Sequence, residues 1–175
     1  AVIARTELIR AMRTDFGALG GSLDPHAACL IQRGLKTYFV RYRAQCASAM
    51  RIAELAASHP AVARVHYPGL PSHPQHALAK AQMSEFGTIV TFDLKGGEAA
   101  AARFVKEQKL FAVTASLGST ESLVLAPQMM RGRDLPPGQL PISAVTGSTV
   151  RLSIGLEDPD DLHEDVERAL AAAQQ

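Results

Sequence analysis

The sequence predicts an α/β domain of four or five strands entered from a long helix, and three observations carry that reading. Apolar residues recur three or four apart from Ala27 through Ile31, Leu35, Tyr38, Tyr42, Cys46, Ala49, Ala53 and Ala56, a helical spacing that His59-Pro60 stops. Beyond Pro60 short strand-like runs alternate with helical ones. With 175 residues, 47% of them apolar, the chain can bury a real core as one domain or one domain plus an appendage.

Each element has a local reason. The opening "AVIARTEL" reads as the end of a buried strand, Val2 to Ala4, in a piece of something longer. Asp24 can cap a helix and Pro25 suits its first position, where the missing N–H is not needed. A helix from 26 to 58 would run about 50 Å at about 1.5 Å per residue, long enough to join two domains, with Gly34 as a bend. A strand is expected over 62–67, then the loop "PGLPSHP" and a helix "QHALAKAQM" with Pro74 near its first turn. Strand 88–94, a helix from about Glu98 to Gln108 and strand 110–115 follow. The loop "SLGSTES" leads to a short strand "LVLA", and "MMRGRDLPPGQLPISAVTGS" reads as a long loop from its Gly, Pro and Ser content. Val150, Leu152, Ile154 and Leu156 then alternate with Arg151, Ser153, Gly155 and Glu157, the period of a strand. Asp158-Pro159-Asp160-Asp161 starts a last helix with acids at the positive end of its dipole. No internal repeat is present.

Charge narrows the function. The 18 basic and 17 acidic groups leave a formal charge of +1 without a run of either sign, so nothing in the sequence attracts nucleic acid or a membrane surface. The longest apolar stretches, such as "TIVTFDL", fall far short of the roughly 20 residues that span a bilayer, which points to the cytoplasm. Cys29 and Cys46 show no C-x-x-C spacing and read as reduced packing thiols.

Few residues invite chemistry. His73 and His76 could share a helical face as zinc ligands do, yet no third ligand stands at a suitable spacing and Pro74 suggests a cap, so no metal is expected. Lys36 could serve as a Schiff-base amine, although a lysine on an amphipathic helix is ordinarily solvated. The turn in "SLGSTESLV" would present hydroxyls and backbone donors at a strand end, as site-lining loops do, or would be a plain turn. Arg151 lies opposite the aliphatic face of its strand, where a solvated arginine is the ordinary reading. Phosphate loops, nucleophile elbows and paired-carboxylate spacings are missing from the sequence.

Four segments, "RGLKT", "YPGLPSHPQHALAKAQMSEFG", "FAVTASLGSTESLV" and "VRLSIGLEDPDDLHEDVERAL", resemble in order and separation the carboxyl-terminal part of the Cys/Met-metabolism enzymes. That family includes cystathionine γ-synthase, cystathionine γ-lyase, methionine γ-lyase and the O-acyl-homoserine sulfhydrylases. The resemblance implies a fold-type-I pyridoxal-phosphate enzyme. Residues 1–25 would be a remnant of the large cofactor domain, 26–58 the connecting helix, and 59–175 the small C-terminal domain with a mostly antiparallel sheet. It further implies that Arg151 binds the α-carboxylate of an amino-acid substrate and that Ser116 lies beside the same carboxylate. The cofactor, pyridoxal 5'-phosphate, and its Schiff-base lysine would belong upstream of residue 1, leaving no catalytic residue here and an inactive fragment. The full-length parent would be a homotetramer making or breaking carbon–sulfur bonds. Two departures stand out: Ala115 replaces a glutamate common before that serine, and "APQMMRGRDLPPGQLP" replaces a segment whose threonine commonly supports the arginine. The competing expectation is a stand-alone, non-catalytic α/β module that binds an amino acid or a partner.

Overall fold

Capping and backbone pairing organise the chain much as its local signals imply. The computed structural model describes residues 2–126 and 146–174. It divides into two units, Ala1–Phe39 and Val40–Gln175.

The first unit carries helices α1 (Thr6–Leu19) and α2 (Pro25–Leu35). Asp24 caps α2 through one carboxylate oxygen, which accepts from the backbone of His26 at 2.8 Å and Ala27 at 3.1 Å. Neither helix has a buried residue, and Met12, Phe16, Ile31 and Leu35 stand exposed. The strand expected at Val2 to Ala4 does not form. Among the described residues no sheet strand pairs with that segment, and an extended backbone without a partner gains no ladder.

The single helix expected over 26–58 is two. Lys36 and Thr37 donate their backbone N–H groups back to Arg33 and Gly34, at 3.2 and 3.4 Å, so α2 closes in tight i→i−3 turns. Gly34, a weak helix former, lies where the helix is about to close. Helix α3 (Tyr38–Ser58) then restarts and runs to His59-Pro60.

The second unit is a five-stranded sheet with helices. Its strands are β1 (Val62–His66), β2 (Ile89–Leu94), β3 (Ala112–Val113), β4 (Leu123–Leu125) and β5 (Thr149–Ser153), in spatial order β1-β2-β5-β4-β3. All pairs are antiparallel except β3 with β4. The fold is therefore α/β with a small, mostly antiparallel sheet. Helices α4 (His76–Gln82), α5 (Gly97–Glu107) and α6 (Pro159–Ala172) complete it. The strand expected over 110–115 shrinks to two paired residues, because among the described residues β3 lies at an edge with β4 as its one partner.

One core unites the unit. Val90, Phe92, Leu94, Val150 and Leu152 join Ile52 of α3, Phe104 of α5 and Leu162, Val166 and Leu170 of α6, all fully or nearly fully buried. Phe104 meets Phe92 edge to face at 5.3 Å between ring centres. Asp158 caps α6 through Asp160 at 2.8 Å, as its sequence implies. Asp165, buried on α6, accepts from the backbone of Lys109 and Leu110 and pairs with Arg168, so the turn that launches β3 is held to α6.

Tyr67, 1% exposed, donates its hydroxyl to the carbonyl of Gly87 at 2.9 Å, and burial drives its phenol pKa well above the ordinary value. The folded state thus disfavours ionised Tyr67, while the unfolded chain ionises near pH 10. This residue's contribution to stability is complete below about pH 10 and is lost as pH rises beyond it. Urea unfolding between pH 8 and 11 should show a decline that Tyr67→Phe reduces.

Candidate functional site

Strand β5 is the middle strand of the sheet, bonded to β2 on one side and β4 on the other, so its backbone is fully pinned. Val150 and Leu152 point into the core and Arg151 to the opposite face, as alternation requires. That opposite face is less solvated than the sequence pattern implies. Thr149 and Ser153 are buried, and Arg151 alone on β5 keeps partial exposure. Leu156, expected to continue the aliphatic face, lies beyond the strand and is exposed. Registered with Arg151 across the sheet are Thr91, then His66, on one side and Leu125 on the other. Nearby on the same face Asp93 accepts from Thr149 at 2.6 Å and bonds the His66 ring at 2.8 Å.

The Arg151 guanidinium donates from Nη2 to the backbone carbonyl of Ser116 at 2.7 Å. Its Nε–H is shielded from solvent and meets no acceptor among the described residues. A guanidinium has five N–H donors in a planar fork, so one bond to Ser116 leaves most of its capacity for an anion. A buried donor without an acceptor costs roughly 1–3 kcal/mol, which an arriving carboxylate would relieve. The exposed Ser116 joins Arg151 through its main chain.

The loop bearing Ser116, residues 114–122, lies against β5 through several further bonds. Gly118 donates its N–H to Ser153 Oγ at 3.0 Å. Gln45 of α3 donates from Nε2 to the carbonyls of Ser119 at 2.8 Å and Ile154 at 2.9 Å. The Glu157 carboxylate accepts from both the backbone and the hydroxyl of Ser122, each at 2.7 Å, and that hydroxyl accepts from Gly155 at 2.8 Å. The side chains of Gln45, Ser122, Ser153 and Glu157 thus find partners within the loop, the strand end or α3, while the Arg151 Nε–H does not.

The other sequence candidates lie apart from this site. His76 bonds the Pro68 carbonyl through Nδ1 at 2.8 Å and stacks on Phe86, while His73 accepts from Gln75 within the turn before α4. Neither histidine caps α4, and among the described residues no three His, Cys, Asp or Glu side chains gather as metal ligands. Lys36 follows the end of α2 and is exposed; Cys29 is exposed and Cys46 buried. No described helix is long and apolar enough to cross a membrane. The segment "APQMMRGRDLPPGQLP" lies outside the described residues apart from Ala126.

The family model described as Cys/Met metabolism PLP-dependent enzyme matches residues 1–171. The chain belongs to this family. It is 44% identical over 154 residues to an L-methionine gamma-lyase of Pseudomonas putida, covering 88% of this chain and 39% of that protein. With the chloroplastic cystathionine gamma-synthase 1 of Arabidopsis thaliana it shares 41% identity over 166 residues, 95% of this chain and 30% of the relative. With an O-succinylhomoserine sulfhydrylase of Pseudomonas aeruginosa it shares 40% over 171 residues, 98% of this chain and 42% of the relative. The crystal structure of the gamma lyase CalE6 from Micromonospora echinospora superposes with a TM-score of 0.87 at 42% identity, covering 97% of this chain and 44% of that one. The chain thus spans about a third to under half the length of these relatives.

Members of the Cys/Met-metabolism family depend on pyridoxal phosphate. The strands and loop around Arg151, residues 89–94, 114–125 and 149–153, carry no lysine that could hold the cofactor as a Schiff base, and the backbone N–H groups of Gly118 and Ser122 are taken by side chains of the chain itself. A guanidinium with donors to spare suits an anionic group.

Sequence reasoning missed Gln45, Ser122 and Glu157 as supports of the site. Glu157 could be suspected from its alternation with Arg151; Gln45 gives no signal, because a glutamine on an amphipathic helix is ordinarily exposed. Gly155 belongs with these supports. A Cβ there would stand 2.5 Å from the Ser122 nitrogen, the Thr120 carbonyl and Glu157 Oε2. Gly118 has open space around it but a φ of +75°. Gly155→Ala should cost about 1–3 kcal/mol through backbone overpacking. Gly118→Ala should cost about 1 kcal/mol through conformation alone. Equilibrium urea unfolding of the two variants reads the difference.

Proposed function

We propose that this chain supplies the substrate-carboxylate clamp of a pyridoxal-phosphate enzyme that makes or breaks a carbon–sulfur bond at the β or γ carbon of an amino acid. Substrates would be sulfur amino acids or activated homoserine, handled by elimination or replacement. Synthase, lyase and sulfhydrylase relatives resemble the chain almost equally, at 40–44% identity, so the proposal is drawn at the chemistry they share. The cofactor, held by the remainder of the full-length protein, supplies the electron sink for that chemistry. Arg151 binds and orients the α-carboxylate, and the Ser116 carbonyl holds the guanidinium in place. Ser116 also lines the carboxylate position. Ala115 leaves the pocket beside it without the carboxylate that a glutamate would bring.

One observation carries this reading. A half-buried guanidinium on the central strand is fixed by one main-chain carbonyl while its shielded Nε has no acceptor. Arg103 and Arg168 also leave a shielded Nε without an acceptor, so what sets Arg151 apart is its place on the central strand beside the exposed Ser116 loop. The exposed apolar residues of α1 and α2 support a covered surface in the full-length enzyme, which we read as a cytoplasmic homotetramer.

In the full-length enzyme, Arg151→Ala should lower kcat/KM by about 30- to 1,000-fold, equivalent to about 2–4 kcal/mol, with the cofactor absorbance retained. Arg151→Lys should recover only part of this, since an ammonium lacks the planar fork. Leu152→Ala is the contrasting core change and should cost about 2–5 kcal/mol of stability. Wild-type efficiency in Arg151→Ala, or activity loss that merely tracks unfolding, would make Arg151 an ordinary surface arginine.

A further inference from the structure

Resting on the reading of Arg151 as the carboxylate ligand, we propose that Gln45 is a positioning residue for the substrate: it aims Arg151 through the 116–119 loop without touching substrate itself. The loop and the end of β5 run side by side and are joined at three levels. Arg151 bonds the carbonyl of Ser116, Ser153 Oγ accepts from Gly118, and Gln45 bridges the carbonyls of Ser119 and Ile154. Ser119 lies three residues beyond Ser116 and Ile154 three beyond Arg151, so Gln45 ties the two segments three residues along from the guanidinium, before the bond from Leu156 N–H to the Thr120 carbonyl.

Chemistry makes glutamine the fitting residue here. Two backbone carbonyls face the same point, and a carboxamide nitrogen offers two N–H donors, one for each. The two acceptors also settle which end of the amide faces them. Gln45 is 7% exposed, beside Cys46 and Ala49 in the packed face of α3, so water is a poor substitute for it. An apolar side chain would leave both carbonyls without a donor, and a carboxylate would set negative charge against them. In either case the stretch from Ser116 to Ser119 loses a tie beside Gly118, whose φ is +75°, and is anchored beyond it only at Thr120 and Ser122. The carbonyl of Ser116 then no longer holds the guanidinium in one place.

The test uses the full-length holoenzyme with its amino-acid substrate, comparing wild type, Gln45→Met, Gln45→Glu and Arg151→Ala. Gln45→Met should raise KM roughly 3- to 30-fold, the scale of one or two lost hydrogen bonds, with kcat changed much less. Gln45→Glu adds a readout that simple destabilisation would not produce. Its protonated carboxyl can still donate to one carbonyl, and burial beside two carbonyls raises its pKa above the ordinary glutamate range. Its KM should therefore lie nearer wild type at low pH and climb as the introduced carboxyl ionises. Arg151 and Glu157 at this end of β5, and Glu121 on the loop, whose carboxylate accepts from Ser119 Oγ at 3.0 Å, are common to both proteins and cancel in the ratio to wild type. Were Gln45→Met not to fold, the pH dependence of Gln45→Glu would still decide the matter. A wild-type KM in Gln45→Met, a flat KM ratio in Gln45→Glu, or losses that only follow the folded fraction would overturn the proposal, even where Arg151→Ala raises KM as expected. An unchanged KM in Arg151→Ala would instead remove the carboxylate reading on which it rests.

Discussion

A guanidinium held by a carbonyl of its own protein can be stiff and still have donors to spare, and the bond from Arg151 to Ser116 creates that condition. An arginine side chain loses roughly 2 kcal/mol of rotamer freedom when fixed. Here that cost is met before any ligand arrives, so a carboxylate would meet a preformed fork. The arrangement depends on the carbonyl staying where it is. The bonds from Ser153, Gln45 and Glu157 to the loop around Ser116 therefore matter more to the site than their individual strengths suggest.

The sheet supports this from the other side. Being third of five strands, β5 has both edges bonded, and its core-facing Val150 and Leu152 pack among α5, α6 and the neighbouring strands. A one-residue slip would turn Arg151 into the core and Leu152 out of it, which no compact arrangement of these residues would tolerate. The aliphatic face thereby sets the direction of the arginine. Gly155 performs a similar service at the strand end, where backbone from Thr120 and Ser122 approaches too closely for any side chain.

Much of this was legible in the sequence. Alternation in "TVRLSI" places Arg151 opposite the aliphatic face, and Asp24-Pro25 and Asp158-Pro159 announce helices that begin where those residues stand. Resemblance, not pattern, singled out Arg151 and Ser116 together. Three features escaped. A bend was expected at Gly34, but the full break at Lys36 and Thr37 is invisible to apolar spacing, which runs through it unchanged. The reach of Gln45 from α3 to Ser119 and Ile154 is a long-range contact that no local pattern encodes. The polar face of β5 was expected to be wet because its residues are polar, whereas Ser153 is covered by the loop it binds.

The central claim is that the Arg151 guanidinium is a preformed carboxylate fork. The most direct measurement is a crystal structure of the full-length holoenzyme bound to an unreactive amino-acid analogue. The account predicts the analogue's carboxylate within about 3 Å of the Arg151 guanidinium nitrogens, with the bond to the Ser116 carbonyl still in place. A carboxylate bound elsewhere, with the Arg151 donors satisfied by protein groups, would contradict it.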